Sequence, residues 1–148
     1  MAFIPQLQHP LFLCSLKMTP EGGLEIIVRH SCNNDPPSSP IGRTAWDVLS
    51  YPAEVKPSAS YSIIFDSFIA YTVGHEHFVK PDESAVGDGM QFARFQQSRY
   101  LSQIEESCYG ADVQSGMRFH YGIYCLNQLM DVVTSEAPRI AYIGETAL

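Results

Sequence analysis

Two histidines one residue apart form the pattern in this chain that most suggests metal chemistry. On an extended strand the imidazole rings of His75 and His77 lie on the same face, within reach of a single ion. Carboxylates or a third imidazole complete such sites, so Asp82, Glu83 and His120 are candidate further ligands. Histidines that face solvent or pack near a strand end explain the same pattern without a metal.

A second pattern would place a thiol nucleophile beside a base. Cys125 and His120 are residue types that perform nucleophilic catalysis, and Asp131 or Asn127 would orient the histidine. Residues five positions apart point to opposite faces of a regular strand, so this pair requires a bulge. We therefore interpret Cys125 as a buried, inert cysteine, and the sequence predicts no catalytic residue.

The remaining candidates are binding residues. Exposed carboxylates cluster in two segments that are close in the sequence, and tyrosines are candidate anchors for a pocket or a protein-binding face. The aromatic set considered as a pocket lining or a protein-binding face is Tyr61, Phe65, Tyr71, Tyr121 and Tyr124, and core packing is its simpler explanation. The candidate binding residues are Asp82, Glu83, Asp88, Glu105, Glu106, Tyr61, Tyr71 and Tyr121.

Charge excludes one class of partner and favours another. The 148-residue chain has a net charge of −7, and its nine lysines and arginines are scattered rather than clustered. Such a surface repels phosphate backbones, so we expect no nucleic-acid partner. An acidic surface speeds the encounter with a basic protein, which makes a basic protein the expected partner.

Composition also bears on location and cofactors. The longest apolar runs are far shorter than the roughly 20 residues of a membrane span. The N-terminal residues do not resemble a signal peptide, and the four cysteines show no C-x-x-C spacing. A chain of this length buries a core without metals or disulfides. We therefore expect a cytoplasmic protein with no membrane contact, no cofactor and free thiols.

Hydrophobic periodicity predicts a single domain, residues 1–148, built mainly from antiparallel strands. Short strands at 11–18 and 24–30 form a hairpin. Segment 61–78 is either one central strand or two strands that meet near Asp66, and 119–133 is a long strand kinked at Asn127 and Gln128. Asp66 is expected to bond to backbone or to an arginine. Segments 31–42 and 80–89 are rich in Pro, Ser, Gly or Asp and are expected to be exposed loops. Ser98 can cap a helix from Arg99 to about Cys108. The predicted class is α+β, with one main helix on a face of the sheet.

Several segments resemble a group of small bacterial proteins of uncharacterised function. These segments are residues 65–71, 98–101, 120–127, 131–133 and 136–138. In size, acidity and lack of a catalytic signature the chain is also similar to the immunity proteins that neutralise polymorphic toxins. That resemblance implies no activity and no catalytic residue.

These observations favour a non-enzymatic interaction protein, such as an inhibitor or immunity protein that occludes a basic partner. The alternative is a metal-binding enzyme or sensor that uses His75, His77 and Glu83, because their spacing is similar to the first metal motif of cupins. Glu83 lies one residue beyond the usual acidic position, and the second cupin motif is missing. A third interpretation is a subunit whose exposed strand edge forms a homodimer.

Overall fold

The structure is a computed structural model that describes residues 5–31, 58–75, 82–107 and 117–146. Within these ranges the chain forms nine strands and one α-helix, after a 3-10 helix at Pro5–Gln8. The elements are β1 (Leu11–Met18), β2 (Leu24–His30), β3 (Ser58–Phe65), β4 (Ala70–Gly74), β5 (Val86–Asp88), β6 (Phe92–Gln97), α1 (Arg99–Ser107), β7 (Phe119–Tyr124), β8 (Leu129–Thr134) and β9 (Arg139–Thr146). The predicted α+β class, mostly antiparallel with a single helix, is confirmed.

The strands form two antiparallel sheets. The four-stranded sheet has the order β1-β2-β3-β9, and the five-stranded sheet has the order β4-β8-β7-β6-β5. Alternate residues of both sheets point into one hydrophobic cluster, as expected for half-buried strands. The Phe65 ring of the first sheet meets the Tyr121 ring of the second edge-on, with centroids 5.6 Å apart. The two sheets therefore pack face to face across a shared core.

The predicted helix is present as α1, and it packs against β7 and β8 on the face of the five-stranded sheet opposite the core. Leu101 is its one fully buried residue and anchors it to the sheet. Residues 108 to 116 lie outside the described ranges, so the predicted ending at Cys108 is not tested. In the part of the chain that the structure describes, no helix has the length and hydropathy to cross a membrane.

The predicted long strand over residues 119–133 is wrong: the segment is a hairpin. β7 and β8 pair antiparallel, and the turn between them is closed by a hydrogen bond from Cys125 N–H to the Gln128 carbonyl, 2.9 Å long. The apolar alternation is the same on both sides of this turn, and the turn contains neither Gly nor Pro. Periodicity alone therefore could not separate one kinked strand from two paired strands.

Of the two alternatives for residues 61–78, the structure shows two strands that divide near Asp66, while residues 76–78 lie outside the described ranges. β3 ends at Phe65 in the four-stranded sheet, whereas β4 begins at Ala70 in the other sheet. Asp66 accepts two hydrogen bonds from the Arg139 guanidinium, 2.8 and 3.0 Å long, which agrees with the second of its two expected partners, backbone or an arginine. The crossing segment thus links the two sheets.

The two predicted loops differ in what the structure describes. Segment 31–42 lies outside the described ranges except for Ser31, as do residues 80 and 81 of the second loop. From 82 to 89 most residues are half-exposed or exposed, but Val86–Asp88 pair with β6 as a short edge strand, β5. β5 has only three residues, and two of them, Gly87 and Asp88, are types that are rare in strands, so the sequence pattern was too weak to predict it.

Candidate functional site

The face of the five-stranded sheet that carries α1 collects most of the polar side chains of β7 and β8. In the antiparallel register His120 is opposite Val133, and Gly122 is opposite Asp131. Thr72 of β4 is opposite Asp131 on its other side. Because directly paired residues share a face, these side chains form one surface, which we call the site face.

A chain of hydrogen bonds runs across the site face. Ser98 Oγ lies 2.8 Å from Nδ1 of His120, and Nε2 of the same ring lies 2.5 Å from Oδ1 of Asp131. The Tyr124 hydroxyl donates to the same Oδ1 over 2.8 Å. One tautomer of His120 satisfies all of these groups: Ser98 O–H donates to Nδ1, and the ring's Nε2–H donates to Asp131. Oδ2 of Asp131 accepts no hydrogen bond from the described residues, and we call it the open oxygen.

The N-terminus of α1 fixes one end of this chain. Ser98 Oγ accepts a hydrogen bond of 3.0 Å from Leu101 N–H, as the N-cap residue predicted from the sequence. Asp82 comes from a separate turn and accepts from Arg99 N–H over 2.7 Å, while Arg99 Nε lies 3.3 Å from its other oxygen. A carboxylate at this end of a helix is favoured by the unpaired N–H groups and the helix dipole.

A glycine makes room for the Tyr124 ring. A Cβ atom at Gly122 would overlap the ring and hydroxyl of Tyr124, which folds back over the strand by two residues. This position brings the hydroxyl to Asp131, the cross-strand neighbour of Gly122. The site therefore requires glycine at position 122, because any larger side chain there would displace the Tyr124 ring.

Aromatic rings enclose the carboxylate. Phe95 lies 4.9 Å from the His120 ring and 6.5 Å from the Tyr124 ring, centroid to centroid, and Tyr100 lies 5.1 Å from His120. The Tyr100 hydroxyl is hydrogen-bonded to Thr72 Oγ1 over 2.8 Å. Together these side chains line an open recess of about 690 Å³, which also includes Asp82, Arg99 and Gln103. The Asp131 side chain is 20% exposed there.

The electrostatics of the recess are acidic. Burial raises the pKa of the Tyr124 hydroxyl, and the negative charges of Asp131 and Asp82 raise it further. Burial also raises the pKa of Tyr100. Hydrogen bonds from Ser84 and from the Arg99 backbone lower the pKa of Asp82 to about 2. Both tyrosines are therefore neutral hydrogen-bonding groups at neutral pH, and Asp82 is ionised.

The arrangement suits binding better than nucleophilic chemistry. Ser98, His120 and Asp131 are connected, but Ser98 is only 3% exposed and its oxygen caps α1. Cys125 lies in the core on the other side of the sheet, as the parity argument predicted, and burial raises the pKa of its thiol to about 12. Neither group presents an activated nucleophile to the recess.

Four of the five predicted acidic residues lie on segments that border the recess. Glu83 is in the exposed turn beside Asp82, and Glu105 and Glu106 are exposed on α1. Asp88 is on β5 opposite Arg94, which places it on the other face of the sheet from Phe95 and His120. Glu106 and Ser84 line one shallow depression next to the recess, so the turn and the helix are neighbours. Among the described residues, Asp82 pairs with Arg99, whereas the other four carboxylates form no ion pair.

The three predicted tyrosine anchors do not come together with these carboxylates. Tyr61 and Tyr121 are 7% and 1% exposed and pack in the core, so their rings are not available at the surface. Their position on the inward side of β3 and β7 is the physical reason. Tyr71 is half-exposed on the edge strand β4, where its ring packs on Phe68. The simpler expectation of core packing holds for Tyr61 and Tyr121.

The predicted metal ligands are only partly described. His75 follows the end of β4 and Glu83 lies in an exposed turn, while His77 is outside the described ranges. His120, the further candidate, is held between Ser98 and Asp131. No three His, Cys, Asp or Glu side chains of the described residues are grouped so that they could hold a metal ion.

Tyr100 and Thr72 are site residues that sequence reasoning did not select, whereas Tyr124 belonged to the aromatic set considered as a pocket lining. The alternation in Phe119–Tyr124 places His120, Gly122 and Tyr124 on one face, so part of this signal was present. The pairing of β7 with β8 was the missing information, because it alone places Asp131 beside Gly122.

Comparison with protein-family models, with curated proteins and with solved structures found no match.

Proposed function

We propose that this chain is a non-enzymatic interaction protein that occludes a basic partner protein, in the manner of an inhibitor or immunity protein. The observation that supports the proposal most is a set of carboxylates beside the recess that form no ion pair with the described residues. Glu83, Glu105 and Glu106, here called the acidic rim, lie on segments bordering a cavity that contains Asp131.

The acidic rim and the recess would have different roles. Exposed carboxylates contribute little to stability, but their summed field accelerates the approach of a basic surface. The recess is lined by Phe95, Tyr100 and Tyr124, residue types that contribute strongly to binding energy when a partner covers them. Occlusion requires no reacting group on this chain, in agreement with the buried state of Ser98 and Cys125.

An affinity-capture experiment tests the proposal. The wild-type chain is immobilised beside a variant with Glu83→Lys, Glu105→Lys and Glu106→Lys, and proteins retained from the host extract are quantified. A control with Glu21→Lys, Glu136→Lys and Glu145→Lys has the same net charge, but its substitutions lie away from α1. We expect a basic protein that is retained by the wild type and the control and lost by the rim variant. Equal retention by all three proteins would contradict the proposal.

The volume of the recess favours a second candidate function. Sites for small organic molecules typically measure about 300–1,000 Å³, are mostly apolar and contain a few convergent polar groups. The recess, at about 690 Å³, has these properties. A small organic ligand bound beside Asp131 is therefore the alternative, and a ligand retained by the purified chain in native mass spectrometry would support it.

A further inference from the structure

We propose that the recess accepts one arginine side chain of the basic partner, whose guanidinium pairs with the open oxygen of Asp131. This inference rests on the proposed function and names the group that would be recognised. Three features of the recess support it: a carboxylate with one oxygen that accepts no hydrogen bond from the described residues, a neighbouring hydroxyl acceptor, and aromatic walls.

The carboxylate is held in place with half of its acceptor capacity unused. Oδ1 of Asp131 receives hydrogen bonds from His120 and Tyr124, which fix the orientation of the group. Oδ2 receives none from the described residues, and the side chain is 20% exposed to the recess. A carboxylate that is oriented in advance and partly desolvated gives a stronger charge-assisted hydrogen bond than a mobile surface carboxylate.

The Tyr124 hydroxyl oxygen is a second hydrogen-bond acceptor beside the Asp131 carboxylate. The Tyr124 hydroxyl uses its proton in the bond to Asp131, so its own lone pairs stay available. The raised pKa of this hydroxyl keeps the proton in place. Oδ2 of Asp131 and the Tyr124 oxygen can therefore receive two N–H groups of one planar fork, a geometry that guanidinium provides and ammonium does not.

The walls and the local charge also suit a delocalised cation. Phe95, Tyr100 and Tyr124 present aromatic rings to the recess, and guanidinium is the side-chain cation that stacks best on such rings. Among the described residues that line the recess, Arg99 is the one arginine, and it forms an ion pair with Asp82. A volume of about 690 Å³ exceeds one side chain, so residues flanking the arginine would enter with it.

Titration with short peptides tests the inference. Capped Gly-Arg-Gly, its lysine analogue and its citrulline analogue are titrated into the ¹⁵N-labelled protein, because citrulline has nearly the shape of arginine without the charge. We expect saturable shifts at Thr72, Tyr100, Tyr124 and Asp131 with the arginine peptide, weaker shifts with lysine and none with citrulline. Asp131→Asn should weaken binding of the arginine peptide by about tenfold or more, since a charge-assisted pair is lost.

Two further variants separate binding from folding. Tyr124→Phe keeps the ring and removes the second acceptor. The arginine peptide should then bind this variant no more tightly than the lysine peptide does. Glu145→Gln removes an exposed charge from β9 and should change nothing. Equal binding of the arginine and citrulline peptides to the wild type would overturn the inference even if Asp131→Asn fails to fold. Tighter binding of free agmatine than of the peptide would also overturn it, in favour of a small-molecule ligand.

The inference and the proposed function can fail separately. If the arginine peptide binds the recess but no basic protein is captured, the proposed function is wrong while the recess remains an arginine site. If a basic partner is captured and Asp131→Asn retains it with unchanged affinity, the interaction stands and the arginine assignment is wrong.

Discussion

At the scale of single residues, the site depends on side chains that are fixed by groups distant in the sequence. Asp82 is the clearest case, because one carboxylate receives the Arg99 backbone N–H, the Ser84 hydroxyl and the Arg99 guanidinium. The Asp82 carboxylate therefore stabilises the start of α1. For this reason Asp82 is a structural residue in our account, although the sequence placed it among the binding residues.

The lowered pKa of Asp82 makes a prediction about pH. Its pKa falls to about 2 on folding, from a value near 4 in an unfolded chain, so its contribution is present above pH 4 and is lost as pH falls toward 2. Asp82→Asn should lower the melting temperature at pH 7, and the difference from wild type should shrink between about pH 4 and pH 2. A difference that stays constant over that range would show that ionisation of Asp82 does not stabilise the fold.

The Gly122 position predicts an interaction between two substitutions. Gly122→Ala should destabilise the protein by about 1–3 kcal/mol, because the new methyl group overlaps the Tyr124 ring. In a Tyr124→Ala background the same substitution should cost much less, since the overlapping ring is gone. Urea denaturation of the four proteins measures this coupling. An equal cost in both backgrounds would mean that the ring does not lie over Gly122.

At the scale of elements, the sequence predicted local features well and long-range pairing poorly. The β1–β2 hairpin and the start of α1 were predicted from turn residues, alternation and the Ser98 cap, all of which act within a few residues. The division of residues 119–133 into β7 and β8 was missed because the deciding contacts come from another sheet. Leu126 N–H donates to the Leu11 carbonyl over 2.8 Å.

The candidate site was predictable only in part for the same reason. The sequence suggested that Asp131 orients His120, and the structure places the two side chains in contact. It also suggested Cys125 as the third member, whereas Ser98 occupies that place. Nothing local distinguishes these alternatives, because Ser98 directly follows β6 and comes near His120 only through the pairing of β6 with β7.

The turn between β7 and β8 makes a prediction at this scale. The Asn127 side chain accepts from Leu13 N–H over 2.8 Å and donates to the Leu13 carbonyl over 3.0 Å, so it attaches the hairpin to β1. Asn127→Ala leaves both backbone groups without this partner and should destabilise the protein by about 1–3 kcal/mol. The adjacent amide Gln128 makes no side-chain hydrogen bond among the described residues, so Gln128→Ala should change stability by less than about 0.5 kcal/mol. Similar losses from both variants in chemical denaturation would contradict this role.

At the scale of the whole molecule, charge is unevenly distributed. Residues 82–107 contain five carboxylates and two arginines, and one of these arginines, Arg99, is paired with Asp82. The other, Arg94, lies over the Phe119 ring with 5.0 Å between the guanidinium carbon and the ring centroid. Among the described residues the acidic rim therefore forms no ion pair, and it lies beside the recess that contains Asp131.

The association rate of the captured basic protein, measured against salt concentration, tests the central claim most directly. The variant with Glu83→Lys, Glu105→Lys and Glu106→Lys should associate about tenfold or more slowly than wild type at low salt, with a flatter salt dependence, because steering by the rim is reversed. Its melting temperature should change little, since exposed charges contribute little to stability. The control with Glu21→Lys, Glu136→Lys and Glu145→Lys should keep most of the wild-type rate and salt dependence. If the two variants slow association equally, only net charge matters and recognition by the acidic rim is wrong.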